Sequence, residues 1–264
     1  MKITLSVDLQ EHETLAGEFG LSFLLESSEG DFLFDTGADT ALQKNLSRLG
    51  IPADKIKRVI LSHGHYDHTG GLAYLLPEEI FCCSNITQSH YSYHGKDDVH
   101  NIAMPEAAQK ILARTKVNYI DDFTEIAPGV YLTGPIPRNS GEDPGGKFFH
   151  DEACFIPDIV SEEQALLTAD GVLITGCCHA GIINTMEYCQ SIHPEIKIHT
   201  IVGGLHLRHA SEQRLAATAE YLRSSNVKEL YLLHCTGANA IEFLQSALPD
   251  CKITSPQLGE SWTC

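Results

Sequence analysis

Three histidines and an aspartate stand within six residues, directly after a stretch that predicts a β-strand. The stretch is Val59-Ile60-Leu61, and the polar residues after it are His63, His65, Asp67 and His68. Imidazole nitrogen and carboxylate oxygen are good ligands for zinc and similar divalent ions. A tight turn at Gly64 can point alternate side chains at one spot, while Asp67 and His68 reach a second one. The spacing therefore predicts one or two metal ions at the end of this strand.

Short apolar runs, separated by Gly, Asp and Ser, predict strands in both halves of the chain. They lie at residues 3–7, 19–25, 32–34 and 59–61, and again at 165–167, 172–175, 198–202 and 230–233. Helices are predicted at residues 41–49, 182–191 and 212–224, where apolar residues recur at helical spacing. This alternation favours an α/β fold with two packed sheets and outer helices, in one domain over residues 1–264.

Residues 85–157 are less regular and include the polar, Gly- and Pro-rich run 134–146. The composition predicts surface loops that form an irregular insertion in the domain. Long insertions in compact domains often contact substrate, so substrate selectivity is expected to reside here. A loop without a role is the alternative.

Composition limits the compartment and the partners. The 18 Lys and Arg residues against 35 Asp and Glu residues give a formal net charge of −17, which repels phosphate backbones and argues against nucleic acid as a partner. No apolar stretch is long enough to span a membrane, and the first residues alternate as in a strand rather than a signal peptide. The nine cysteines are therefore expected to be reduced thiols in a cytoplasmic protein.

Further metal ligands are expected from the second half, because metal sites draw ligands from more than one loop. Three predicted strands there are each followed by a histidine. His179 lies in Gly176-Cys177-Cys178-His179-Ala180-Gly181, His206 in Gly203-Gly204-Leu205-His206-Leu207, and His234 in Leu233-His234-Cys235-Thr236-Gly237. A lone histidine in such a place is seldom a ligand, but the recurrence after a complete histidine motif makes all three candidates.

The His-x-His-x-Asp-His pattern after a strand resembles the signature of the metallo-β-lactamase superfamily. Asp35, in Phe34-Asp35-Thr36-Gly37, is similar to the strand-ending aspartate that supports the metal loop in that family. With the sequences around the three later histidines, the chain resembles the branch of dihydropterin–aminobenzene phosphate synthase-like metal-dependent hydrolases. The resemblance covers residues 17–237. It implies an αββα sandwich of two mixed β-sheets flanked by helices, with a di-metal site at one edge.

The expected ligand assignment puts His63, His65 and His179 on one ion and Asp67, His68 and His234 on the other. His206 resembles, by its placement, a substrate-contacting histidine of the superfamily's tRNA-maturation endonucleases. We expect it to donate a proton or bind substrate, with a role as a metal ligand as the alternative.

The chain departs from the family at one position of this site. Many superfamily members carry a bridging aspartate where this chain has Cys177 after Thr175-Gly176. The bridge is therefore absent or supplied by His179, a cysteine or water, which puts full occupancy of both metal sites in question. Cys177 and Cys178 are either small buried residues, the commoner case, or thiolate ligands.

Hydrolysis is the expected chemistry, with zinc as the expected metal and iron or manganese as alternatives. A bound divalent ion lowers the pKa of water from about 15.7 to about 7 and polarises a carbonyl or phosphoryl oxygen. Asp67 can orient that water as well as bind metal. The expected substrate is a small ester, phosphoester, lactone or amide that can carry one or two negative charges.

Three other functions fit parts of the sequence. The family name implies a synthase or transferase acting on a pterin-like phosphorylated substrate. A di-iron redox protein usually has a glutamate among the first-motif ligands, where this chain has His65, and a fused flavin domain. A binding module without activity would be expected to have lost ligands of the first motif, which is intact.

Overall fold

Short strands and helices alternate along the chain in a computed structural model that describes residues 1–95, 97–142 and 145–264. The strands are β1 (Lys2–Val7), β2 (Ser22–Glu26), β3 (Phe32–Phe34), β4 (Arg58–Ile60), β5 (Glu79–Cys82), β6 (Tyr91–Gly95), β7 (Asp98–Asn101), β8 (Lys116–Tyr119), β9 (Thr124–Ala127), β10 (Val130–Leu132), β11 (Phe148–Phe149), β12 (Pro157–Asp158), β13 (Leu166–Thr168), β14 (Val172–Thr175), β15 (Thr200–Gly203), β16 (Glu229–Leu232), β17 (Lys252–Thr254) and β18 (Ser261–Thr263). The α-helices are α1 (Ala41–Arg48), α2 (Tyr66–Thr69), α3 (Glu106–Leu112), α4 (Ile182–Ile192), α5 (Glu212–Ser224) and α6 (Ala238–Ala247). Short 3₁₀ helices lie at Ala53–Lys55, Gly70–Tyr74 and His234–Thr236.

The chain divides into two compact units. The first contains Met1–Asp121, Gly146–Glu162 and Gln257–Cys264, and the second contains Asp122–Gly145 and Glu163–Pro256. A single domain over residues 1–264 stays a prediction.

The first unit is built on a mixed sheet of seven strands in the order β18-β1-β2-β3-β4-β5-β8. Strands β3, β4, β5 and β8 run parallel, whereas β1, β2 and β18 pair antiparallel. The helix α1 buries Leu42 and Leu46 in the same apolar core as Leu33 and Val59 of the sheet. Strands β1, β2, β3 and β4 and helix α1 lie where the sequence predicts a strand or helix, because each has apolar residues to bury in the core.

The second unit is built on another mixed sheet of seven strands, in the order β17-β16-β15-β14-β13-β10-β9. Strands β14, β15, β16 and β17 run parallel, and β13 pairs antiparallel with β14. Ala219 and Leu222 of α5 are buried in its apolar core together with Ile201 and Leu230. The predicted content of two mixed sheets with helices is therefore present, one sheet in each unit.

The prediction that residues 85–157 form surface loops is wrong for much of that segment. It contains α3 and strands β6 to β11. Strands β6 and β7 form a small sheet of the first unit with β11 and β12, in the order β12-β11-β6-β7. These strands escaped prediction because they are short and largely polar, with β7 exposed or half-buried at every position.

The Gly- and Pro-rich run behaves as predicted where the structure describes it. Residues 134–142, 145 and 146 form no helix or strand. Lys96 of the predicted insertion, and Asp143 and Pro144 of this run, lie outside the described residues. Among the helices that are described, none is both long enough and apolar enough to cross a membrane.

Candidate metal centre

Buried Asp35 holds residues 62–68, which we call the histidine loop. Because β3 and β4 run parallel, their carboxyl ends meet at one edge of the sheet and bring Asp35 beside Ser62. Oδ1 of Asp35 accepts from the Ser62 backbone N–H at 2.7 Å, and Oδ2 accepts from the Ser62 hydroxyl at 2.7 Å. The same Oδ2 lies 2.7 Å from Nδ1 of His68. The prediction that Asp35 supports this loop is confirmed.

Helix α2 fixes the directions of the ligand side chains. It begins at Tyr66, whose backbone N–H donates to the Ile102 carbonyl at 2.8 Å, and the Thr69 hydroxyl donates to the His65 carbonyl at 2.8 Å. At Gly71 a Cβ atom would overlap the carbonyl oxygen of Thr36. Glycine therefore lets the chain pass tightly against the residues that follow β3.

The first donor set consists of His63, His65, Asp67 and His68, all of which are buried. The ring centroid of His63 lies 4.5 Å from that of His65 and 4.3 Å from that of His68. Asp67 Oδ2 lies 3.5 Å from His68 Nε2. The four predicted ligands of the first motif are thus brought together within the first unit.

Burial keeps two of these imidazoles neutral. It lowers the pKa of His63 well below its ordinary value, with further lowering by His68 and His65. Burial also lowers the pKa of His65, to about 3. For His68 burial lowers the pKa too, but Asp67 and Asp35 outweigh it and raise the pKa well above its ordinary value. A cation bound at His68 would therefore displace a proton.

The second donor set consists of Cys177, His179, His206, His234 and Cys235, all in the second unit. Strands β14, β15 and β16 run parallel, so the loops after them start at the same edge of the sheet. The ligand atoms of Cys177, His179 and His206 lie within 4.8 Å of one another, and so do those of Cys177, His234 and Cys235. The structure therefore brings together the three predicted histidines of the second half.

The backbone at these strand ends is in an uncommon conformation. His206 has a φ of +49° and His234 a φ of +54°, in the left-handed region that non-glycine residues seldom adopt. Gly204 N–H donates to the Gly176 carbonyl at 3.0 Å, and Leu205 N–H donates to the Thr236 hydroxyl at 3.0 Å. Such cross-loop contacts hold the strained residues in place. Strain of this kind is common at functional sites.

Glu163 holds the backbone at His179 by hydrogen bonds. Its carboxylate accepts the backbone N–H groups of His179 and Ala180, both at 2.6 Å. Burial raises the pKa of Glu163 to about 7, against the opposing effect of these two hydrogen bonds. Arg138 donates to the His179 carbonyl. The polypeptide around His179 is thus held on both sides.

The two neighbouring cysteines have different surroundings. Cys178 belongs to the apolar core, and burial raises the pKa of its thiol well above the ordinary value. It is the small buried residue that the sequence favours for both cysteines. Cys177 instead has its sulfur among the donors of the second set. Burial raises the pKa of Cys235, but hydrogen bonds with Cys177 and His206 outweigh it and lower the pKa well below the ordinary value.

Besides Arg138, two more arginines contact the backbone of the donor residues. Arg208 donates to the His234 carbonyl at 2.9 Å, and Arg214 donates to the His206 carbonyl at 2.7 Å. Arg214 is buried beside Glu142, with a nitrogen-to-oxygen distance of 3.6 Å. Arg214 therefore acts as a support for the strained loop at His206.

Three buried residues beside the histidine loop were not predicted. Nδ1 of His90 lies 2.6 Å from Asp158 Oδ2, and its Nε2 lies 3.2 Å from Glu162 Oε1. Burial lowers the pKa of His90, but the nearby carboxylates of Asp158 and Glu162 outweigh it and raise the pKa to about 9. The sequence carries no motif for them, because His90 and Asp158 are 68 residues apart.

Comparison with known proteins identifies the superfamily to which the chain belongs. The family model described as the metallo-β-lactamase superfamily matches residues 15–157, rather more than half of the chain. The chain is 29% identical to the 7,8-dihydropterin-6-methyl-4-(β-D-ribofuranosyl)-aminobenzene-5'-phosphate synthase of Methanocaldococcus jannaschii, over 84% of this chain and 82% of that protein. It is 28% identical to an uncharacterized protein of the same organism, over 90% of this chain and 92% of that protein.

A solved structure with the same fold is the crystal structure of Tm1679, a metal-dependent hydrolase of the β-lactamase superfamily. The match covers 100% of this chain and 99% of the Tm1679 chain, with a TM-score of 0.87 and 29% sequence identity. The predicted α/β fold class is therefore confirmed, and so is the resemblance on which it partly rested. On its family match, its fold and its intact histidine motif, this chain belongs to the metallo-β-lactamase superfamily.

Proposed function

We propose that this protein is a metal-dependent hydrolase that uses a mono- or dinuclear site to activate water against a small ester, phosphoester, lactone or amide. The observation that carries the proposal is the first donor set, in which three buried imidazoles and a carboxylate converge on the loop that Asp35 holds. The proposed metal ligands are His63, His65, Asp67, His68, His179 and His234. In this assignment His63, His65 and His179 would hold one ion, and Asp67, His68 and His234 would hold the other.

The donors fit a transition metal. Neutral imidazole and carboxylate suit zinc, and the burial of His63 and His65 keeps both rings neutral. The thiols of Cys177 and Cys235 in the second donor set favour zinc or iron over manganese, which prefers oxygen ligands. Zinc is therefore the proposed metal, and iron is the first alternative.

Each reacting group has a proposed role. The ion supplies the Lewis acidity that activates water and polarises the substrate. Asp67 accepts a hydrogen bond from the attacking water and orients it toward the substrate. His206 protonates the leaving group or binds the substrate, and Arg214 keeps His206 in place through the His206 carbonyl. Glu163 fixes the backbone of His179.

The proposed substrate is a small molecule rather than a polymer of nucleotides. The formal net charge of −17 disfavours an extended polyanion. A single carboxylate or phosphate on the substrate can still be bound by the proposed metal ions. The proposed compartment is the cytoplasm, in keeping with the expected reduced cysteines.

A synthase or transferase reaction is the second candidate. The observation that favours it is the relative at 29% identity that is named as a synthase of a dihydropterin-linked ribofuranosyl-aminobenzene phosphate. The same donors could activate a nucleophile other than water. The two candidates differ in whether an oxygen atom from water enters the product.

Metal removal provides the first test of the hydrolase proposal. Protein purified without added metal should contain zinc and should hydrolyse at least one member of a panel of esters, phosphoesters and lactones. A chelator should lower that activity by more than about 100-fold, beyond the effect typical of residues that only support a ligand, and added Zn²⁺ should restore it. The control is the same chelator saturated with Zn²⁺ beforehand.

Isotope labelling then separates the two candidate reactions. A hydrolysis run in ¹⁸O-labelled water should yield a product that carries the label, detected by mass spectrometry. The synthase reaction would be favoured instead if the product forms only when a second organic substrate is present and carries no ¹⁸O from the water. Undiminished turnover in metal-free protein would contradict both.

Single substitutions distinguish the roles of His206 and His234. His234→Ala should lower the bound metal by up to one ion per chain, whereas His206→Ala should lower turnover by about 10²- to 10⁴-fold with the metal unchanged, as expected for a lost proton donor. His209→Ala, an exposed histidine three residues further on, is the matched control. Elemental analysis and kcat measure the two effects. If His206→Ala loses metal and His234→Ala does not, the two assignments must be reversed.

A further inference from the structure

Three buried side chains, in contact one after another, connect to the backbone of the histidine loop. The contacts run from Asp158 Oδ2 to His90 Nδ1 at 2.6 Å, and from His90 Nε2 to Glu162 Oε1 at 3.2 Å. Glu162 Oε1 also accepts the backbone N–H of Gly64 at 3.2 Å. All three side chains are fully buried. Two carboxylates and an imidazole are costly to bury, so their presence beside the loop calls for a role.

The far end of this network is tied to the small sheet of the first unit. Asp158 is the last residue of β12, and its Oδ1 accepts the Val160 backbone N–H at 2.7 Å. The His90 carbonyl, just before β6, accepts the Ile102 backbone N–H at 2.8 Å. The Ile102 carbonyl in turn accepts the N–H of Tyr66, the first residue of α2. The network and this backbone ladder thus reach the histidine loop from the same sheet.

At Gly64, where the network meets the histidine loop, the backbone is tightly packed. A Cβ atom at Gly64 would lie 2.8 Å from His90 Nε2 and 2.5 Å from the Ile86 carbonyl oxygen, closer than real Cβ atoms come. The ring of His90 also packs edge-on against that of His65, with centroids 5.1 Å apart. Gly64 lies between His63 and His65, so a fixed Gly64 backbone fixes the direction of both proposed ligands.

A separate metal site is the competing explanation. The ligand atoms of His65, His90 and Asp158 lie within 4.8 Å of one another. However, Nδ1 of His90 is already hydrogen-bonded to Asp158 Oδ2 at 2.6 Å, and Nε2 lies 3.2 Å from Glu162 Oε1, so an ion held by His90 would have to displace one of these carboxylate contacts. The contacts therefore favour a supporting role over a further metal site.

We propose that His90, Asp158 and Glu162 form a positioning network that fixes the Gly64 backbone and thereby orients His63 and His65 toward the metal. This inference rests on the proposed metal-binding function. The three residues touch neither substrate nor metal in this proposal, and they act only through the histidine loop. Residues that orient metal ligands typically change metal affinity by about 10- to 100-fold when replaced.

The test combines metal binding with a direct readout of Gly64. In Glu162→Ala, His90→Phe and Asp158→Asn, the affinity for Co²⁺, measured by chelator competition, should fall about 10- to 100-fold with the number of ions per chain unchanged. The visible absorption spectrum of the Co²⁺ protein should shift. In metal-free Glu162→Ala labelled with ¹⁵N-glycine, hydrogen exchange of the Gly64 amide should accelerate. Glu162→Gln, which keeps an acceptor oxygen, should recover most of the Co²⁺ affinity.

A control variant tests whether loss of any hydrogen bond in the first unit would change the Co²⁺ affinity. Thr4→Val removes a partly buried hydrogen bond to Ser261, 2.8 Å long, between β1 and β18 of the same unit, and should leave the Co²⁺ affinity unchanged. Unchanged Gly64 exchange in Glu162→Ala would overturn the network. Loss of a whole ion in His90→Phe would also overturn it and make His90 a ligand. Failure of the wild-type protein to bind Co²⁺ would instead refute the proposed function, while the Gly64 readout would still decide the network.

Discussion

Replacing His63 and His65 together with alanine should remove the ion that both rings are proposed to bind and lower catalytic activity by more than about 100-fold. The loss should exceed the effect typical of supporting residues, because both rings are proposed to bind the same ion directly. The protein should still fold, since the apolar core of the first unit is formed by other residues, among them Leu33, Leu42 and Val59. Elemental analysis, activity and circular dichroism measure the three effects.

The matched control is a second pair of neighbouring histidines in the same unit. His94 and His100 are exposed on β6 and β7, with ring centroids 5.7 Å apart. Their double replacement by alanine removes the same number of imidazoles without touching the histidine loop, and metal content and activity should stay at the wild-type level. Wild-type metal content in the protein that lacks His63 and His65 would show that the ligand assignment is wrong.

Secondary structure could be predicted where burial leaves a clear sequence pattern. Strands β3 and β14 and helix α5 have the predicted bounds. The predicted strand at residues 19–25 instead begins at Ser22. Leu21 N–H donates to the Asp67 carbonyl at 3.2 Å rather than to a strand partner, and Phe19 stacks on Tyr66 at 6.4 Å. The residues before β2 therefore pack against α2, a tertiary contact that no local pattern records.

The site follows the same rule. The histidine loop is a compact motif, so its four donors could be predicted from spacing alone. Asp35 could be predicted from the resemblance to the superfamily, in which an aspartate at a strand end supports the metal loop. His90, Asp158 and Glu162 could not, because short polar strands of the small sheet bring them together and no local spacing relates them. Cys235 was also overlooked as a donor, although it follows His234 directly.

Both seven-stranded sheets position the candidate metal donors in the same way. In each, neighbouring parallel strands end at a common edge, and the residue or loop after the strand carries the donor or its support. Asp35, His206 and His234 all have positive φ angles at such places. A left-handed residue reverses the chain sharply after a strand, which keeps the side chain at the sheet edge. The strain, of order 1–3 kcal/mol per residue, must be offset by the surrounding contacts.

Replacing Asp35 should therefore damage both stability and metal binding, and two substitutions separate these effects. Asp35→Ala removes the acceptor for the Ser62 N–H, the Ser62 hydroxyl and His68, and should lower the free energy of unfolding by about 3–5 kcal/mol, as expected when one partner of a buried charged pair is lost. Alanine also tolerates the φ of +58° poorly. Urea denaturation monitored by fluorescence measures this loss.

Asp35→Asn should keep most of the stability and bind metal more weakly. Asparagine accepts the left-handed backbone conformation and can still accept the Ser62 N–H through its amide oxygen, so its unfolding free energy should lie between those of Asp35→Ala and the wild type. It lacks the charge that holds Nδ1 of His68, so Co²⁺ affinity should fall about 10- to 100-fold. Asp39→Asn, at an exposed carboxylate four residues later that accepts from the Tyr74 hydroxyl, is the control and should change neither quantity. Wild-type Co²⁺ affinity in Asp35→Asn would mean that the hydrogen bond to His68 stabilises the fold without orienting a ligand.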